Sequence, residues 1–482
     1  MLNTKSFSAV NTIISKMTNR KTQQLLLCLE ILLCTFVFIT LSGGKGVDWD
    51  EAFTHQLVLN HDVLGIISGT ASDVHPPLYY LIVKFFITFF GNELAVYTWA
   101  SILAGIGCMI LSSTMIFKRF GFWTAELLNL AFSFAPTILI YNLNIRMYSW
   151  TLFFCLGCLL FSCEIMEKGT VFQWIMLFLF SICGVYTQYF AVFPIVAAYA
   201  CLMLYFMIYK QWKKFIPFSI VCILNVVSFI PWLLYASQQF QTNGVQEEYI
   251  DEFQYMPTGF FGFASYTNLQ NVGTMLMILF FSSFVVFLFI RKEFTKTQQW
   301  FISMLFFCCF FCFYGSQVLA IFGNHFFAWR YIYPVVGIIW ILFCIIFTKI
   351  GFKVYIPFTV FTLVICLYSY AHAYDWEYNN TPLLEKTVAF TDANIEDGCV
   401  IVHDYGNFDT LYSVYLPNHE FVYFDDLDLS TMKGQTFWFI QLGGKTFTEG
   451  MIDAYGLEIE HYSGFGYMGM VKFELEKVTV TK

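Results

Sequence analysis

Two short stretches of the 482-residue chain hold residues whose types and spacing could do chemistry. The first is Val47-Asp48-Trp49-Asp50-Glu51; the second, about twenty residues on, is Asp73-Val74-His75-Pro76-Pro77-Leu78-Tyr79-Tyr80. Two arginines, Arg146 and Arg330, each stand just before a long apolar run. A carboxylate can take the proton of an attacking hydroxyl, and guanidinium groups can hold a phosphate through charge-assisted, paired hydrogen bonds. Together these residue types suit transfer chemistry on a phosphate-bearing substrate. Singly, each has a plainer reading. Asp50-Glu51 can complement a helix dipole, the arginines can anchor span ends by snorkelling, and His75-Pro76-Pro77 can simply open a helix. A metal site built from Asp50, His55, His61 and His75 is a further reading of the same stretch.

The elements that must position these groups are membrane helices. The chain is 58% hydrophobic, 21% aromatic and only 12% charged, with a mean hydropathy of +0.64. Apolar runs long enough to cross a bilayer recur to about residue 371. This composition excludes a disordered chain, a secreted disulfide scaffold and a nucleic-acid binder with a basic surface. All of the 15 cysteines but Cys399 lie in apolar runs and read as small packing residues, since Cys155/Cys158 and Cys309/Cys312 lack the histidine or polar neighbours that zinc needs.

The expected spans are 23–42, 94–117, 121–141, 148–166, 172–187, 190–209, 215–236, 271–290, 300–322, 331–349 and 354–372. Segment 76–90 covers only about 22 Å as a helix, carries Lys84 in its middle, and reads as lying flat in the interface. With that choice and a cytoplasmic N-terminus, 15 of the 19 basic residues before residue 372 fall on the cytoplasmic side, as the positive-inside rule asks. If 76–90 crossed the bilayer, every later loop would change sides and the rule would fail. Loop 43–93 is then external, with a second interfacial helix over 52–67, and so are loop 237–270 and the tail. Glu30 and Glu126 fall inside expected spans and are functional candidates on that ground.

Residues 372–482 hold 6 basic and 18 acidic residues, a net of −12, against +4 for the rest. They alternate strand-like runs (399–403, 421–424, 436–441, 457–461, 468–473) with helical stretches near 382–395 and 407–416. The expected fold is therefore a polytopic α-helical membrane protein of about eleven spans, with interfacial helices in the first external loop and a small C-terminal extracytoplasmic α/β domain. The domain limits are 1–374 and 375–482.

A first span, then Asp50-Glu51 at the opening of the first external loop, then Asp73-Val74-His75-Pro76-Pro77-Leu78-Tyr79-Tyr80 resembles the multi-span GT-C glycosyltransferases. The branch is the one that includes protein O-mannosyltransferases and lipid A aminoarabinose transferases. Asn144-Ile145-Arg146-Met147-Tyr148, Tyr186-Thr187-Gln188-Tyr189 and Arg330-Tyr331-Ile332-Tyr333-Pro334 continue the likeness in order, so that it covers residues 23 to about 340. The chain departs from the pattern after Phe90-Gly91, where the family often has an arginine and none follows here.

The resemblance implies a multi-pass enzyme of a bacterial plasma membrane, N-terminus cytoplasmic and C-terminal domain outside, with membrane lipids around it and no nucleic-acid partner. Its donor would be a polyprenyl-phosphate sugar, its acceptor a cell-envelope glycan, lipid or protein, and transfer would invert the sugar. Asp50 takes the place of the catalytic base, with Glu51 beside it. Arg330, Arg146 and His75 would bind the donor phosphate, and Asp73, Gln188 and Tyr189 would support the site or meet the acceptor. No cofactor is required, and a divalent ion between Asp50 and the phosphate stays open. The alternative is a polytopic transporter or flippase for a lipid-linked saccharide; a non-catalytic scaffold displaying the tail is a third reading.

Overall fold

A computed structural model describes residues 19–43, 45–71, 73–242, 270–322, 329–374, 381–406, 408–467 and 471–482. The apolar runs become helices where the sequence places them, because in a bilayer a segment must satisfy its own backbone hydrogen bonds. After α1 (Arg20–Ser42) come three shorter helices, α2 (Trp49–Asn60), α3 (Val63–Thr70) and α4 (Leu78–Phe90). The bundle continues with α5 (Leu94–Leu111), extended to Phe120 through a π-helical turn at Ser112–Ile116, then α6 (Phe122–Phe134) and α7 (Ile138–Leu143). It is completed by α8 (Tyr148–Glu167), α9 (Val171–Thr187), α10 (Val192–Ile208), α11 (Phe215–Thr242), α12 (Gln270–Ile290), α13 (Lys296–Phe322), α14 (Pro334–Ile350) and α15 (Phe352–Tyr374).

Among the described residues, eight helices are long and apolar enough to cross a membrane. The shorter apolar α9 and α14, with the broken α6–α7 segment, bring the number of span-like segments to the expected eleven. The chain is a multi-pass membrane protein.

Two expectations need correction. The span 121–141 is not one helix: Pro136 cannot continue the hydrogen-bond ladder, and Thr137 takes a φ of 69°. The helix expected over 52–67 is two, because the Asp62 side chain accepts the Gly65 N–H at 2.7 Å and starts α3 afresh. Segment 76–90 forms the expected short helix, and Lys84 reaches back to the Val58 carbonyl at 2.9 Å rather than standing alone in lipid. Loop 237–270 lies mostly outside the described residues, although α11 extends to Thr242.

Helix α8 is the axis of the bundle, enclosed by α5, α9, α10 and α14, with 89% of its apolar window buried. Its lower end is tied by charge: Glu164 accepts from Arg119 at 2.9 Å and pairs with Lys118 at 3.3 Å, while Glu167 takes Arg119 at 2.6 Å. Two other carboxylates inside the bundle have partners as well. Glu30 accepts from Asn129 at 3.1 Å, and Glu126 from the Tyr355 hydroxyl at 3.2 Å.

Beyond α15 the chain forms α16 (Thr381–Asn394) and a five-stranded mixed sheet with α17 (Phe408–Tyr412) and α18 (Glu449–Tyr455). Strands β1 (Val400–His403), β2 (Glu420–Tyr423), β3 (Thr436–Gln441), β4 (Leu457–Tyr467) and β5 (Val471–Val480) lie in the order β2-β1-β3-β5-β4. The β2-β1-β3 half is parallel and β3-β5-β4 is antiparallel. Of the strand expected over 468–473, residues 468–470 lie outside the described residues, and β5 runs on past 473 to Val480.

Candidate functional site

The site is built on the first turn of α2. Asp48 is its N-cap and forms a reciprocal capping box with Glu51: Glu51 N–H donates to Asp48 Oδ1 at 2.8 Å, and Asp48 N–H donates to Glu51 Oε2 at 2.9 Å. The other Glu51 oxygen accepts from Lys45 Nζ at 2.5 Å and from the Ile145 N–H at 2.6 Å, with both side chains of the ion pair buried. Glu51 is thus spent on fixing α2 to the 144–147 loop, and it does not share the open position of Asp50. Burial, with the negative charges of Glu51 and Asp50, pushes the Asp48 carboxyl up to about 7.

Asp50 lies between the two arginines. Its Oδ2 is 3.6 Å from Arg330 Nη1 and 3.9 Å from Arg146 Nε. Arg146 is buried and reaches the Asp50 carbonyl at 3.2 Å and the Thr54 and Tyr80 hydroxyls at 3.4 Å each. Tyr80 in turn donates to Asp73 at 2.9 Å. His75 is buried and meets Tyr331 edge to face with ring centroids 5.9 Å apart, and Tyr331 stacks on Phe190 at 5.1 Å. Desolvation raises the Asp50 carboxyl, but Arg146 and Arg330 outweigh it and hold the group below the ordinary carboxylate range. Desolvation and the same arginines keep His75 neutral, well below its ordinary value. Asp73, where desolvation prevails over Arg146, is raised.

No family model matches the sequence, and no curated protein matches it. The architecture does have solved counterparts. ArnT from Cupriavidus metallidurans, in its apo crystal structure, matches with a TM-score of 0.61 over 94% of this chain and 97% of its own, at 11% identity. The crystal structure of the same protein bound to undecaprenyl phosphate matches with a TM-score of 0.60 over 95% and 98%, again at 11% identity. The chain has the ArnT fold.

Within this ArnT-like frame, unmet hydrogen bonding gathers near Asp50. Among the described residues, a number of buried side-chain N or O atoms lack a hydrogen-bond partner. Seven of them belong to the segments that meet at the site: Asn144 Oδ1, Arg146 Nε, the Tyr148 hydroxyl, both amide atoms of Gln188, Arg330 Nε and the Tyr333 hydroxyl. Burying an unpaired polar atom costs roughly 1–3 kcal/mol, so a cluster of them marks a place for a polar ligand. Tyr189 is differently placed, since its hydroxyl donates to Gln239 at 2.5 Å and accepts from Trp232 at 2.7 Å.

The metal grouping of Asp50, His55, His61 and His75 is not brought together. His55 stacks on Tyr97 at 4.7 Å and the His61 Nδ1 lies 3.1 Å from the Leu57 carbonyl. No group of three His, Cys, Asp or Glu suited to a metal occurs among the described residues. Sequence reasoning assigned no role to Lys45, Thr54, Tyr80 or Tyr148, although Tyr80 and Tyr148 stand inside the motifs that pointed here.

Proposed function

We propose that this protein is a membrane glycosyltransferase that moves a sugar from a polyprenyl-phosphate donor to a cell-envelope acceptor at the outer face, with inversion. The observation that carries the reading is a carboxylate held ionised between two arginines, with unmet polar groups around it. Support comes from the shared fold of ArnT, one structure of which is bound to undecaprenyl phosphate.

In this reading Asp50 accepts the proton of the acceptor hydroxyl. The hydroxyl oxygen forms the new bond to the anomeric carbon from the face opposite the phosphate. The bond from that carbon to the phosphate oxygen breaks, and its electron pair leaves with the lipid phosphate. Arg330 and Arg146 stabilise the charge that develops there, and neutral His75 can add one hydrogen bond. Gln188 and Asp73 serve the sugar or the acceptor, and Glu51 holds the helix. The N-terminus lies in the cytoplasm and residues 375–482 form an outer domain, in keeping with the distribution of basic residues.

The test is native mass spectrometry on wild-type and Asp50→Asn protein extracted gently from its own membrane. Both should carry a polyprenyl-phosphate lipid, and turnover should fall by about 10²–10⁴-fold in the variant. Well-folded protein carrying only bulk phospholipid would sink the donor assignment and favour transport.

A further inference from the structure

The C-terminal sheet domain grips α2 along one face. The Tyr415 hydroxyl accepts the Val47 N–H at 2.9 Å, immediately before the N-cap. The Trp49 ring packs on Tyr405 at 5.8 Å and Phe408 at 6.2 Å. Two turns on, Gln56 Nε2 donates to Ser413 Oγ at 2.9 Å. Trp49 and Gln56, seven residues apart, share a helix face, whereas Asp50 and Thr54 lie on a face turned by about 100° and meet Arg146.

We infer that the C-terminal domain is a working part of the site: through Tyr415, Ser413 and the Tyr405–Phe408 pair it sets the rotation of α2 that presents Asp50 to Arg146 and Arg330, which makes Tyr415 and Trp49 positioning residues. The inference rests on the reading of Asp50 as the base. A helix of twelve residues is marginal on its own, so its orientation comes from what it touches. The membrane body fixes the first turn through Glu51 and the far end through Lys84 on the Val58 carbonyl. The Trp49–Gln56 face goes to the sheet domain. A carboxylate rides about 5–6 Å from a helix axis, so a turn of about 10° moves it by about 1 Å. A displacement of that size can lower a rate about 10²-fold. A domain that merely rode on the bundle would have no need to bond the backbone N–H that leads into the N-cap.

The experiment uses the full chain in nanodiscs, with a panel of undecaprenyl-phosphate-linked monosaccharides as donors and release of undecaprenyl phosphate as the readout. Tyr415→Phe, which deletes a single oxygen, combined with Ser413→Ala should lower kcat by about ten- to a hundredfold while donor KM stays within about twofold. The acid limb of the rate profile should also move up, since a displaced Asp50 loses the arginines that hold its carboxyl down. Trp49→Phe should recover most of what Trp49→Ala loses. Wild-type kcat and pH profile in the Tyr415→Phe, Ser413→Ala protein, beside an inactive Asp50→Asn, would overturn the inference and leave the base in place. An active Asp50→Asn protein would overturn both.

Discussion

Arg330→Gln should act on two quantities at once, and the geometry sets the size of one of them. A unit charge 3.6 Å from the Asp50 carboxylate interacts with it by about 1 kcal/mol at the dielectric of water and about 4–5 kcal/mol at an effective dielectric near 20. The side chains are 36% and 41% exposed, which places the pair toward the screened end. About 1.4 kcal/mol is a reasonable share for Arg330, equivalent to one pH unit. In the proposed reading the ionised carboxylate is the active form, and that fixes the sign. Arg330 favours that form, so its loss raises the Asp50 pKa, and the acid limb of kcat/KM should move up by about one pH unit. The plateau should fall by about 10²–10³-fold, as for removal of one donor to a developing anion. The assay is kcat/KM from pH 3.5 to 8 for both proteins, with the same lipid-linked donor. An acid limb that stays in place, or moves down, would refute the electrostatic reasoning even if the plateau dropped.

Lys45→Met should destabilise the protein by about 3–5 kcal/mol, because it strands the Glu51 carboxylate in a buried position; pairing it with Glu51→Gln should recover part of the loss in thermal unfolding. A variant as stable as wild type would show that the Lys45–Glu51 pair does not hold α2 in place. Asp48→Asn should flatten the pH dependence of stability. The wild-type carboxyl is raised to about 7, so its contribution is full below its unfolded value and is lost as pH rises through 7. Asparagine keeps the cap without titrating, and the melting difference between the two proteins should shift between about pH 4 and 7 in favour of the variant at the higher pH.

The bundle was legible because run length is a local property. Any apolar run of about twenty residues must become a helix in lipid. The errors fell where a single residue overrides a run: Pro136 breaks one helix, and the Asp62 cap divides another. Strand β5 was mostly missed because Glu476-Lys477 interrupt the alternation that Phe473 and Leu475 begin, before Val478 and Val480 resume the apolar positions. The site was legible only in part. Asp50, Arg146 and Arg330 are far apart in sequence, and nothing in their spacing brings them together; their order alongside the other motifs does. Asp50 and Glu51 could not be told apart from spacing, since which neighbour faces Lys45 depends on how α2 is rotated. The docking of Tyr415 and Ser413 onto α2 leaves no periodic trace at all.

Helix α8 begins two residues after Arg146 and ends at the Glu164–Arg119–Glu167 cluster. The eighteen residues from Arg146 to Glu164 correspond to roughly 27 Å at about 1.5 Å per residue. Along its length the rod is held in register by close fits and hydrogen bonds: Gly157 lies against the Phe180 ring, Leu152 against Gly337, and the Trp150 indole N–H donates to the Ala100 carbonyl at 2.7 Å. A slip of one residue would lower its top by about 1.5 Å and turn it by about 100°, carrying Arg146 and Tyr148 out of register with Asp50. The ion pairs at the far end work as a keel. They add a charged tie to that register at the end of the helix away from Arg146.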